Sequence, residues 1–479
     1  MSESSGSIIS NLVWRFAERC GAQGVSFLVS VVLARILAPE VYGTIALVTV
    51  FTAILQVFVD SGLGNALIQK KDADDLDYSS VFWGNMFLCI CLYIALFFFA
   101  PKIADFYNDI SLIPVIRVMG LTLIISGLKN MQQAYVSKKM IFKKFFFATL
   151  GGTFAAAFVG IGLALRGFGV WALVAQNLVN KLIDTCVLWL IVGWHPRFMF
   201  SFKRLKGLVA YGWKILVSSL LDTVYNNIRQ LVIGRVYTST DLAYYNKGKQ
   251  MPNLVVTNIN TSIDSVLFPV MSKAQESREE VKNLARKSIR LSSYIMCPIM
   301  VGLAVCAEPL VRVLLTDKWV PCVWYLRIFC FSYVWYPVHT ANLNAIKAVG
   351  RSDIFLKLEV AKKVIGLLVL ALVMNKGTKM IAGSLLLTSV VSSIINAFPN
   401  KKLINYGYQE QIRDILPATL LAVIMGVIVW SVTRLPIADY IKLIIMVPFG
   451  AFIYFAGSKL LKLEEFESVV RIVKRYIKR

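Results

Sequence analysis

About fourteen times along its 479 residues this chain strings together an apolar run long enough to cross a bilayer. A hydrocarbon core about 30 Å thick needs roughly 20 apolar residues of helix, and inside lipid each helix must satisfy its own backbone polar groups. The runs fall near residues 11–36, 42–69, 79–100, 112–136, 145–166 and 170–193, then 208–236, 242–271, 283–307, 321–347, 354–374 and 380–399, with a last pair near 414–433 and 440–461. Only 16 % of residues are charged and the mean hydropathy is +0.66, whereas soluble domains carry about a quarter charged residues. The expectation is an all-α polytopic membrane protein with about 14 transmembrane helices and no sizeable soluble domain.

The formal net charge of +24 does not point to nucleic acid, because the basic residues cluster in alternate short loops. Lys138, Lys139, Lys143 and Lys144 lie in one, Arg197, Lys203, Arg204 and Lys206 in the next of that set, and Arg471, Lys474 and Arg475 in the tail. Positive charge marks the cytoplasmic face, so both termini are expected there. Met1–Ser10 has no basic region ahead of a short apolar core, so no cleavable signal peptide is expected. Eight scattered cysteines and two histidines (His195 and His339) show no metal or redox spacing, which predicts buried free thiols and no metal or other cofactor. Asp72-Ala-Asp74 and Asp75-Leu-Asp77 read as a solvated acidic loop, and no catalytic motif is present, so the chain is read as no enzyme.

Several runs carry charges that lipid rejects. In 208–236, Tyr211, Lys214, Ser218, Asp222, Tyr225 and Arg229 share one helix face; in 242–271, Tyr245, Lys249, Asn253, Thr257, Asn260 and Asp264 share another. A charge at the bilayer centre costs roughly 2.5–3.5 kcal/mol on insertion scales, so such faces turn toward a wet, protein-lined space or pair with one another. Residues 11–36 repeat the pattern with Asn11, Arg15, Glu18, Arg19, Ser26 and Ser30, and 42–69 does so with Thr49, Thr52, Gln56 and Asp60. Ala34-Arg35 corresponds to Gly234-Arg235, and Asp60-Ser61 to Asp264-Ser265. The organisation expected is a six-helix N-lobe over 1–207, a parallel six-helix C-lobe over 208–408, two further helices over 409–462, and a basic amphipathic tail over 463–479.

Arginine's planar fork suits phosphate. Arg15, Arg19, Lys214 and Arg290 in the cytoplasmic half, with Arg229, Lys249 and Arg117 toward the other side, form a candidate ladder for an anionic head group. Glu18, Asp60, Asp222 and Asp264 are candidates for coupling and gating. Asp222 lies two turns from both Lys214 and Arg229, which leaves it open to a proton or Na⁺, while Asp60 and Asp264 occupy equivalent places at the gate. Each of these acids has the alternative of simply balancing neighbouring cations.

The runs Leu33-Ala-Arg-Ile-Leu-Ala-Pro-Glu-Val-Tyr-Gly43, Asp60-Ser-Gly-Leu-Gly-Asn-Ala-Leu-Ile-Gln69, Val81-Phe-Trp-Gly-Asn85, Gly167-Phe-Gly-Val-Trp171, Phe268-Pro-Val-Met-Ser272 and Leu315-Thr-Asp-Lys-Trp319 resemble the Wzx-type polysaccharide flippases, in the branch near the colanic-acid and teichuronic-acid exporters. The resemblance covers essentially the whole chain. It implies the fold of the multidrug/oligosaccharidyl-lipid/polysaccharide exporter superfamily, with two six-helix lobes in a V around a central cavity. It also implies a substrate of undecaprenyl-diphosphate-linked oligosaccharide, a place in the bacterial inner membrane, and polymerase or glycosyltransferase partners. Thr238-Ser-Thr240 lacks the Leu-Gly pair usual before the eighth helix, and Thr316 stands where Gly is commoner; both affect loop geometry. Two other classes remain: a cation-coupled drug antiporter, which would want an acidic or apolar cavity, and a polysaccharide polymerase or ligase, which would want a large outward loop. The longest outward loops expected, near 101–111 and 308–320, are short.

Overall fold

A computed structural model describes the backbone of residues 5–477 apart from 61–63, 65, 68, 69, 71, 140 and 142, and side chains from residue 21 to 474 apart from those and 143, 211, 472 and 473. The described chain is helical, without strands. The helices are α1 (Ser5–Ile36), α2 (Pro39–Asp60), α3 (Asp75–Tyr107), α4 (Leu112–Lys139), α5 (Lys143–Leu165), α6 (Val170–Ile191), α7 (Phe202–Val236), α8 (Ser239–Lys273) and α9 (Arg278–Val305). They continue with α10 (Ala307–Leu315), α11 (Cys322–Tyr333), α12 (Tyr336–Ala348), α13 (Ser352–Val373), α14 (Thr378–Leu403), α15 (Tyr408–Val432), α16 (Asp439–Leu460) and α17 (Glu464–Ile477).

Ten helices among the described residues are long and apolar enough to cross a membrane. The other four expected runs are helical too: α1, α7 and α13, and the run at 321–347, which is broken into α11 and α12. Pro337 lacks the N–H that would bond the carbonyl of Tyr333, which places the break there. The expected loop at 101–111 is largely helix, because α3 continues through Pro101 until Asn108 takes a left-handed φ of 54°. The expected loop at 308–320 holds α10 and a 3₁₀ turn whose Trp319 is fully buried.

Two hairpins at the positions expected to correspond have similar turns. The α1–α2 turn runs from Ile36 to Pro39 and the α7–α8 turn from Val236 to Ser239. Each first helix closes alike, with Leu37 N–H donating to Leu33 O at 2.8 Å and Tyr237 N–H to Ile233 O at 2.9 Å. The two turns touch: Thr240 Oγ1 donates to Glu40 Oε1 at 3.1 Å, across 200 residues. Gly43 allows the approach, since a Cβ there would stand 1.8 Å from the Ser239 carbonyl oxygen.

Backbone packing groups residues 1–243 and 244–479 into two compact units. In the first, α7 lies against α2 and α3, with Gly234 on Leu47 and Leu205 on Gly84. A core of Tyr78, Phe82, Met131, Leu188 and Trp194 joins α3, α4 and α6. In the second unit α9, α15 and α16 share a core of Tyr294, Cys297, Leu421, Met425 and Tyr454. Tyr294 Oη donates to Ser458 Oγ at 2.9 Å, and Tyr454 Oη donates to Tyr294 O at 2.9 Å.

Two expectations need correction. First, one acid of the expected solvated loop is built into the structure, while Asp72, Asp74 and Asp75 stay exposed. Asp74 caps α3 by accepting from Asp77 N–H at 2.9 Å. Asp77 is fully buried and paired with Lys70 at 2.6 Å, and Arg204 Nη1 donates to both oxygens of Asp74. Side chains of the same unit also grip the 194–201 linker backbone: Gln132 donates to Trp194 O, Trp83 to Arg197 O, while Ser79 and Ser80 accept from Arg197 N–H and Ser201 N–H. Asp75 meets the same linker, 3.3 Å from Arg197. Second, the free thiols are not all buried: of seven described cysteines, Cys91 and Cys186 are exposed.

Candidate substrate-binding site

On α7 the predicted stripe is one face with two environments. Lys214, Ser218 and Asp222 are exposed, Tyr225 is half-buried, and Arg229 is 5 % exposed. Asp222 and Arg229 are seven residues apart, about 10 Å along the axis, so the face passes from open to closed within two turns. Nε and Nη2 of Arg229 are buried and make no hydrogen bond. The side chain of Tyr211 lies outside the described residues.

On α8, Asn253, Thr257 and Asp264 are exposed, Lys249 and Asn260 half-buried and Tyr245 buried. Asp264 accepts from Asn344 Nδ2 at 2.6 Å. Its counterpart Asp60, at the end of α2, accepts from Gln56 Nε2 at 2.8 Å. Asp60 and Asp264 thus each accept a hydrogen bond from a side-chain amide. Arg15, Glu18 and Arg19 fall on α1, but their side chains lie outside the described residues.

Two predicted cations have other engagements. Arg117 stacks on Phe97, 4.1 Å from the ring centroid, at the α3–α4 contact. Arg290, on α9, pairs with Glu465 and, at 3.1 Å, with Glu464, both on α17.

Sequence reasoning missed an ionic cluster inside the first unit. Lys129 of α4 pairs with Asp184 of α6, which is 6 % exposed and leaves Oδ1 without a partner. One turn away, Lys181 donates to Ser126 Oγ at 3.1 Å and to Gln56 Oε1 at 3.3 Å, which links it through Gln56 to Asp60. The signal was present: Lys181 and Asp184 stand three apart in an otherwise apolar run, and that spacing puts them on one helix face. Among the described residues no group of His, Cys, Asp and Glu is arranged to hold a metal ion.

An exposed polar face that closes over an unpaired guanidinium suits an anion entering from one end. Comparison with known proteins identifies the family. Residues 32–324 match the family described as "Polysaccharide biosynthesis protein". The chain is 27 % identical to the succinoglycan biosynthesis transport protein ExoT of Rhizobium meliloti over 64 % of its own length and 63 % of that protein, so the match spans just under two thirds of this relative. It is 23 % identical to the teichuronic acid biosynthesis protein TuaB of Bacillus subtilis over 80 % of each chain. The fold is that of the solved lipid II flippase MurJ in an inward closed conformation, with TM-score 0.75, 15 % identity, and coverage of 95 % of this chain and 98 % of that one.

Proposed function

Because the chain belongs to the polysaccharide biosynthesis protein family, we propose that it is a flippase rather than an enzyme. It moves undecaprenyl-diphosphate-linked oligosaccharide from the cytoplasmic to the outer leaflet of the bacterial inner membrane by alternating access, for cell-surface polysaccharide. The observation that carries this reading is Arg229, a buried guanidinium with two unpaired nitrogens inside a charged, membrane-length helix. An uncompensated buried charge is costly, and in a membrane helix it marks a ligand path. A diphosphate supplies bidentate oxygen acceptors for that fork. Lys214, exposed on the same helix, serves as a further contact along the path.

The basic excess disfavours the alternative of a drug antiporter for cationic compounds. Both termini face the cytoplasm in this reading, no resident cofactor is required, and Na⁺ or H⁺ coupling falls to the acidic residues. Two parallel repeats, 1–207 and 208–408, carry the exchange, and a polymerase and glycosyltransferases act before and after it. Translocation of lipid-linked oligosaccharide by the purified protein in liposomes tests the proposal. Loss of transport in Arg229→Ala with partial recovery in Arg229→Lys supports it; wild-type rates in Arg229→Ala remove the residue from the site.

A further inference from the structure

Helix α9 carries a second basic stripe, Lys282, Arg286 and Arg290, spaced one turn apart. α15 answers the first two: Glu410 lies 3.0 Å from Lys282, and Asp414 lies 2.7 Å from Arg286. Tyr406 Oη also donates to Asp414 at 2.8 Å, and α15 shares a core with α9, so these pairs belong to the body of the unit. Arg290 is answered differently, by Glu464 and Glu465 of the terminal helix α17. That helix hangs from α16 through Leu461–Leu463, where Lys462 takes a left-handed φ of 50°. Its seat is small, with Leu463, Phe466 and Val469 packed against the α9–α15–α16 core.

Beside the Arg290 pair a cavity of about 240 Å³ opens between α9 and α17, lined by Asn283, Lys287, Arg290, Glu465 and Ser468 among others. Lys287 is exposed on its rim.

We propose that this cleft receives a phosphate-bearing lipid head group, and that Glu464 and Glu465 of α17 occupy Arg290 as an internal stand-in until that group arrives. The inference rests on the proposed diphosphate substrate. Carboxylate and phosphate oxygens offer the same acceptors to a guanidinium, but a diphosphate brings more charge and more oxygens than one carboxylate. Glu464 is already 80 % exposed at its side chain, so one of the two contacts is released at little cost in new solvation. Once displaced, α17 still presents Arg471 and Lys474, both exposed, to an anionic leaflet.

The test uses the full chain in lipid nanodiscs and two independent readouts. Binding of inorganic diphosphate is measured by calorimetry for the wild type, for Glu464→Gln/Glu465→Gln, and for the same double variant carrying Arg290→Ala. The double variant should bind about tenfold or more tighter than the wild type, and Arg290→Ala should cancel the gain. No gain, or a gain that survives Arg290→Ala, overturns the proposal. Hydrogen exchange of α17 is then followed in the unmodified protein, which removes any question of variant folding. Faster exchange on adding a polyprenyl diphosphate to the nanodisc supports the site, and unchanged exchange overturns it. A second arm with phosphatidylglycerol identifies the source: a response to the diphosphate alone assigns the cleft to substrate, and a response to both assigns it to phosphate head groups in general. Neither readout depends on transport, so failure here leaves the flippase reading standing, and failure of transport leaves the cleft intact.

Discussion

Nη1 of Arg204 lies 2.6 and 2.7 Å from the two carboxylate oxygens of Asp74, across 130 residues of sequence. This contact ties the first turn of α7 to the first turn of α3 and pins the linker between them. The linker from Trp194 to Ser201 is therefore part of the first unit, as is the helix α7 that follows it.

The linker's buried hydrogen bonds should outweigh its ion pair. Arg204 and Asp74 are partly exposed, and exposed pairs contribute roughly 0.2–1 kcal/mol. Ser80 is fully buried and accepts from Ser201 N–H at 2.8 Å, and an orphaned buried donor costs about 1–3 kcal/mol. Ser80→Ala should therefore speed amide exchange at Ser201 by more than Asp74→Asn does. The reverse order would place the strength of the clamp in its charges.

Acid should open the clamp late. The Asp74 carboxyl is pulled down to about 2, first by the Asp77 N–H and then by Arg204. Its folded value lies below the unfolded one of about 3.9. The stability it contributes is complete above about pH 4 and disappears as pH falls through about 2. Exchange across 194–204 in detergent should stay flat from neutral pH to about pH 4 after correction for intrinsic rates, then rise. In Arg204→Ala the rise should begin at higher pH.

Arg229→Met should separate function from stability. Replacing a buried, unpaired charge by an apolar side chain of similar length should leave the fold as stable or stabilise it by about 1–4 kcal/mol, while transport is lost. Thermal unfolding in detergent and liposome translocation read the two effects. A drop in stability would mean that Arg229 holds the helix packing together.

The Lys129–Asp184 pair should behave oppositely. Asp184 is buried, so Asp184→Ala strands a lysine and should cost about 3–5 kcal/mol, whereas Lys129→Met/Asp184→Leu should restore most of that loss. A double-mutant cycle on unfolding free energy checks the coupling.

Gradient dependence should follow Asp222. Asp222→Asn should uncouple or stop transport under imposed pH, Na⁺ and voltage gradients, whereas Asp60→Asn and Asp264→Asn should shift the balance of inward and outward states. Both of the latter acids accept from a neutral amide, which an asparagine can partly reproduce. An Asp222→Asn protein with wild-type gradient dependence would leave the membrane potential acting on the anionic substrate as the driver.

Read alone, the sequence determined what is local. Length and hydropathy placed the helices, and spacing of three and four residues placed Lys214, Asp222 and Arg229 on one face of α7. The matching hairpins at Ile36–Pro39 and Val236–Ser239 were legible because each turn is written in a few adjacent residues. Only the tertiary structure decided which charges are spent. Arg290 and Arg229 are both arginines inside runs long enough to span, and spacing alone does not tell which of them is paired. Yet Arg290 meets Glu465 across 175 residues, while Arg229 is buried with two nitrogens unpaired. Of the 72–77 acids, Asp77 likewise looked solvated, yet the structure buries it beside Lys70 and Arg204. Helical periodicity fixes where a side chain points, but the partner it meets depends on which distant helix packs there, and several acids of equal chemistry were available to each cation.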